Sequence, residues 1–92
     1  MGLENLEGSL NLDFPDLEEL YVNNNSLTKL DTTICKKLKI IHCYDNLLSE
    51  IKIDGRELID FSFSANALKE IDISKCVNLE ILRGSENQLS KI

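Results

Sequence analysis

The chain has 92 residues, 42% of them hydrophobic, which suits one small domain and shows no disordered composition. A formal charge of -6 argues against a nucleic-acid-binding face, which needs a basic patch, and against docking on an anionic membrane. No apolar run approaches the roughly 18 residues that span a bilayer, so no membrane insertion is expected, and residues 1–7 lack the basic and apolar regions of a signal peptide.

Residues 1–16 read as a degenerate partial repeat. Asn5 and Leu10 line up with Asn46 and Ile51 further on, but Glu7 then falls where the pattern wants leucine. Phe14 and Pro15 lead into the first full repeat, with the proline between strands, where its missing N–H costs least.

Full repeats begin near residues 17, 38 and 58, and a truncated one covers 79–92. The first carries Leu17, Leu20, Val22, Asn25, Leu27 and Leu30. The second has Leu38, Ile41, Cys43, Asn46, Leu48 and Ile51 in the same places, and the third has Leu58, Phe61, Phe63, Asn66, Leu68 and Ile71. The fourth has Leu79, Leu82, Gly84, Asn87, Leu89 and Ile92. The steps of 21, 20 and 21 residues, with asparagine in fixed register, define a solenoid within a single domain.

In each repeat an opening alternation predicts a short strand with one face buried: Leu20-Tyr21-Val22, Ile41-His42-Cys43, Phe61-Ser62-Phe63 and Leu82-Arg83-Gly84. A second alternation gives each coil another inward side, at Leu10-Asn11-Leu12, Leu30-Asp31-Thr32, Ile51-Lys52-Ile53 and Ile71-Asp72-Ile73. So short a period leaves no room for a real helix, and extended or single-turn segments are expected on the far side. Asn25, Asn46, Asn66 and Asn87 fall at the bend after each strand. Their amides can satisfy backbone groups of stacked bends, where an orphaned group costs about 1–3 kcal/mol, so they form a structural ladder.

Three cysteines without C-x-x-C spacing argue against a disulfide framework or zinc site. Cys35 and Cys76 occupy equivalent places two rungs apart, roughly 9–10 Å at normal strand spacing, beyond the reach of a disulfide. Cys43 takes an inward slot as a small hydrophobe, and three unpaired thiols are expected.

The pattern L-x-x-L-x-L/C-x-x-N-x-L-x-x-L/I over residues 10–92 resembles the leucine-rich repeat. The stretches I-D-I-S-K-C-V-N-L (71–79) and I-H-C-Y-D-N-L-L (41–48) look like the cysteine-containing, 21-residue repeats of bacterial surface proteins similar to internalin J. The resemblance implies an α/β-type solenoid of mostly β content, right-handed, with a parallel sheet on its concave face used to bind other macromolecules. It also implies a secreted or cell-surface setting.

On such a sheet the residues flanking each buried pair point outward. The columns are Glu19, Ile40, Asp60, Ile81; then Tyr21, His42, Ser62, Arg83; then Asn23, Tyr44, Ser64, Ser85; then Asn24, Asp45, Ala65, Glu86. Tyr21, Asn23, Ile40, His42, Tyr44, Ile81 and Arg83 are the candidate partner-binding residues. Tyrosine and arginine are enriched at binding hot spots, histidine titrates near neutral pH, and the isoleucines add apolar contact.

The only histidine adjoins a cysteine in His42-Cys43-Tyr44-Asp45, but strand alternation sends the two side chains to opposite faces, which opposes a nucleophilic pair or joint metal ligation. Asp54-Gly55 reads as a tight turn rather than a calcium loop. No motif implies a metal or cofactor. The expectation is a non-catalytic module recognising a protein or glycan, the alternative a structural element of a surface protein. Ends in mid-repeat suggest a fragment of a longer array, or self-association through uncapped faces.

Overall fold

The computed structural model describes residues 1–90; Ile92, which closes the fourth copy of the motif, lies outside them. Seven strands run in chain order: β1 (Glu7–Asn11), β2 (Glu19–Tyr21), β3 (Ser26–Asp31), β4 (Ile40–His42), β5 (Glu50–Lys52), β6 (Asp60–Ser62) and β7 (Ile81–Arg83). They form two parallel sheets, one in the order β2-β4-β6-β7 and the other β1-β3-β5. The chain is a β-solenoid of about four turns, each contributing one strand to the longer sheet.

The register follows the repeat: Glu19 pairs with Ile40, Ile40 with Asp60, and Asp60 with Ile81. The long-sheet strands start one residue earlier than the alternation alone implies. Ladder bonding nonetheless continues past them, through Val22 N–H to the His42 carbonyl, Cys43 to Ser62 and Phe63 to Arg83.

No helix occurs among the described residues, so the α part of the expected class has no counterpart here. The physical reason is the period. After two strands and a bend, only a few residues remain, and they close with hydrogen-bonded turns: Cys35 N–H to the Thr32 carbonyl, Leu58 to Gly55 and Cys76 to Ile73. The expected tight turn at Asp54-Gly55 is one of these, with Gly55 at φ 77°.

Leu20, Ile41 and Phe61 from the long sheet meet Leu30, Ile51 and Ile71 from the other side of the coil in one core. Each fully buried side chain of this size contributes about 1.5–3 kcal/mol. Leu20, Ile41 and Phe61 are 0%, 1% and 0% exposed, whereas Leu82, at the same place in the last rung, is 39% exposed. It packs on one neighbouring rung instead of two.

Gly84 lies in the inward slot held by Val22, Cys43 and Phe63 in the other rungs. A Cβ there would stand 2.5 Å from the Phe63 ring. The glycine makes room for the phenylalanine beneath it, a compensation between neighbouring rungs.

The first rung departs from the sequence register. Glu7 pairs with Ser26 and Gly8 with Leu27, after which the register shifts and Leu10 meets Leu30. Asn5 does not act as a ladder asparagine: it takes the left-handed backbone of Asn24, φ 61° against 59°, and Leu6 N–H donates to Asn25 Oδ1 as Leu27, Leu48 and Leu68 do to the asparagines of later rungs. Gly8, at φ 76°, sits at the bulge that corrects the spacing. Glu7 thus does not take a leucine place. Aligning from the asparagine outward put the mismatch there, because a bulge leaves no mark in residue spacing.

Candidate functional site

The bend after each long-sheet strand is held by an asparagine. Asn46 Nδ2 donates to the Cys43 and Tyr44 carbonyls of its own rung and to Val22 of the preceding one, and its Oδ1 accepts the Leu27 N–H. Asn66 and Asn87 repeat this arrangement, with Leu48 and Leu68 N–H as donors to their side chains. Asn25 does the same against Leu3 and Leu6. Every amide reaches back by one rung, so the bends form a continuous column. These polar groups are engaged by the backbone and unavailable to a ligand.

Just before each ladder asparagine the backbone turns left-handed, at Asn24, Asp45, Ala65 and Glu86 with φ from 55° to 59°. The fourth column therefore belongs to the bend rather than to the alternation of the strand. Sequence spacing did not reveal this, because the position is filled by four different residue types, only Asn and Asp being at ease there.

The outer face of the long sheet carries the candidate residues. Tyr21, His42 and Arg83 lie in one register column with Ser62, and Ile40 and Ile81 lie in the column beside it. Asn23 and Tyr44 follow on the same side at the bend. Tyr21 meets His42 edge-on at 5.2 Å between ring centroids, and His42 meets Tyr44 at 6.0 Å, giving a row of three rings across two rungs. The Tyr21 hydroxyl donates to Glu19 Oε1 at 2.9 Å, and this bond, with the nearby carboxylate charge, raises the phenol above its ordinary pKa. Ile81 is 40% exposed and Ile40 half-buried. Ser62, flanked by His42 and Arg83, is buried.

Two residues that sequence reasoning placed in a column but did not select shape this face. Asp60 Oδ2 lies 3.1 Å from His42 Nε2, with both side chains mostly covered. Its Oδ1 is buried without a hydrogen-bond partner among the described residues. Glu19 anchors Tyr21. Their signal was register: each lies one rung and two residues, or two residues alone, from a selected ring. Choosing by residue type passed over them.

No protein-family model, curated protein or solved structure matches the chain.

At the N-terminal edge of the face an open hollow of about 400 Å³ is lined by Gly2, Leu3, Glu4, Tyr21, Asn23 and Asn24. It exists because residues 1–3 add a partial rung: Gly2 bridges Tyr21 in parallel, and Leu3 N–H donates to the Tyr21 carbonyl. The α-ammonium of Met1 is engaged by the Glu19 carbonyl at 2.8 Å.

The chemistry of Cys43 is set by burial. It is fully enclosed, and desolvation pushes its thiol up to about 12, which disfavours the thiolate nucleophile. His42 faces the other way, toward Asp60. All three cysteines are free, Cys35 and Cys43 buried and Cys76 half-buried. Among the described residues no group of three His, Cys, Asp or Glu side chains is placed to hold a metal, and no helix is long and apolar enough to cross a membrane.

Proposed function

We propose that the chain is a non-catalytic recognition module that binds a partner protein through the outer face of its long sheet. The observation that carries this reading is the ring row Tyr21–His42–Tyr44, set beside Ile40 and Glu19 on a rigid parallel sheet. Aromatic side chains offer large contact area at little conformational cost, and ladder bonds and the buried core fix the strands beneath them. The repeat length, the asparagine column and the inward leucines support assignment to the leucine-rich repeats. On that assignment the long sheet is the concave face. Similarity to the cysteine-containing repeats of internalin J-like proteins would place the molecule on a bacterial surface.

The test replaces Tyr21, Tyr44 and Arg83 together by alanine and measures affinity for a partner isolated with the unaltered chain. The expected result is loss of binding by about a hundredfold or more, the scale of two or three hot-spot side chains. Undiminished affinity with an intact fold contradicts the proposal.

One observation favours a second reading, that of an assembly element. Leu82 and Ile81 leave the last rung with an apolar rim, an invitation to strand-edge pairing. Sedimentation separates the two: assembly through this rim gives a dimer or larger, and a monomer at high concentration eliminates it.

A further inference from the structure

Lysine is kept off the strands of the long sheet, whereas carboxylates lie on every face of the described residues. The strands of the long sheet read Glu-Leu-Tyr, Ile-Ile-His, Asp-Phe-Ser and Ile-Leu-Arg, and none contains lysine. Lysines instead lie on the second sheet at Lys29 and Lys52, in turns at Lys36, Lys37 and Lys75, in a bend at Lys69 and before β4 at Lys39. Carboxylates, by contrast, follow the outer face of the long sheet from end to end: Glu19 and Asp60 on strands, Asp45 and Glu86 at bends, and Glu4 in the hollow beside Tyr21. Arg83 is the one guanidinium among them, and it stands on the last strand. The face is an aromatic row among carboxylates, with the Met1 α-ammonium on the Glu19 carbonyl at one end and its one guanidinium at the other.

We infer that this face takes an arginine- or lysine-rich segment of a partner protein, with one cationic side chain seated in the hollow beside Tyr21. The inference rests on the recognition reading and names its partner class. The hollow is open, so it suits a side chain projecting from a partner rather than an enclosed small molecule. Its aromatic wall is Tyr21, whose ring is steadied by the hydroxyl bond to Glu19 and the edge contact with His42. A guanidinium or ammonium within about 6 Å of that ring gains cation–π attraction and finds Glu4 on the hollow's rim. Further cationic residues of the segment then pass Asp45 and Tyr44 along the neighbouring rung. Opposite fields across such an interface steer association and select against acidic partners. The column's last member, Arg83, sets the C-terminal limit of the footprint.

The probe is an unstructured arginine–serine repeat peptide, with a glutamate–serine peptide as its counterpart, titrated into the full chain with amide chemical shifts as readout. The expected shifts centre on Tyr21, Asn23, His42 and Tyr44 and weaken with added salt, and the acidic peptide produces none. Replacing Glu4 and Glu19 by glutamine weakens binding about tenfold, whereas Glu57→Gln with Glu70→Gln, away from this sheet, changes it less than about twofold. Both pairs lie at the surface, so thermal unfolding of each variant checks that the fold is kept. Shifts spread evenly over the molecule, or equal losses in the two double variants, overturn the inference. Where the peptide fails but a captured partner still loses binding on alanine replacement of Tyr21, Tyr44 and Arg83, the recognition reading stands and the basic segment falls. Where neither responds, both fall.

Discussion

The two faces of the long sheet are built from alternate residues of the same strands and obey different rules. On the inner face, Leu20, Ile41 and Phe61 are enclosed by neighbours on both rungs, and all are large and apolar. On the outer face, Tyr21, His42, Ser62 and Arg83 follow one another in register with no chemistry in common. The inner face is fixed by packing, which tolerates few alternatives. The outer face is free of that constraint, and its unlike residues are available for contact with something else.

Breaking the inner face should have the largest effect. Phe61→Ala removes a fully enclosed ring that also packs on Phe63 at 4.8 Å between centroids. It is expected to cost about 3–5 kcal/mol by denaturant unfolding, and Leu82→Ala, at the equivalent but half-open place, clearly less. Equal losses at the two positions would show that stacking of neighbouring rungs does not govern stability here.

The asparagine column comes next. Asn46→Ala leaves the Leu27 N–H without an acceptor at a buried bend, and takes one of two donors from the Val22 and Cys43 carbonyls, which keep the Asn25 and Asn66 amides. About 1–3 kcal/mol is expected from this orphaned N–H, with hydrogen exchange at Leu27 rising well above that of Leu48.

Gly84→Ala sharpens the comparison at a single methyl group. Its Cβ meets the Phe63 ring at 2.5 Å, and overpacking of this kind costs about 1–3 kcal/mol. Phe63→Leu in the same chain should recover part of that loss, and a purely additive double variant would contradict the proposed compensation.

The smallest expected effect lies in the turns, away from both faces. Asp31 is held below its ordinary pKa by the Thr33 backbone and hydroxyl, Asp54 by the Arg56 guanidinium and backbone, and Asp72 by the Ser74 hydroxyl and backbone. Their folded-state pKa values are depressed, so their contribution is full above the unfolded carboxylate value near about 4 and is lost as pH falls through the folded values. A shallow acid loss of stability below that pH is expected, flattened when the three are replaced by asparagine. Asp72 is exposed, Asp31 and Asp54 are partly covered at the surface, and the effect is modest.

Much of this architecture is legible in the residue pattern. The inward positions and the asparagine column recur often enough to fix the rungs, and they place Glu19, Ile40, Asp60 and Ile81 in one row. The bulge at Gly8 is not legible, because a one-residue register shift looks the same as a degenerate repeat. Nor is the fit of Gly84 to Phe63, which depends on a ring rotamer in the rung before it. The candidate face was legible as a set of columns, but the pairing of His42 with Asp60 emerges only when side chains from adjacent rungs are placed together. Residue identity found the rings, and geometry found the carboxylates between them.

The division of labour between the faces is tested most directly by one variant carrying Tyr21→Ser, His42→Ser, Tyr44→Ser and Arg83→Ser. Its unfolding free energy and its affinity for an isolated partner are measured on the same sample. The account predicts that partner binding disappears while the combined stability loss stays below that of Phe61→Ala alone. Retained binding, or a loss of stability equal to or greater than that of Phe61→Ala, would contradict it.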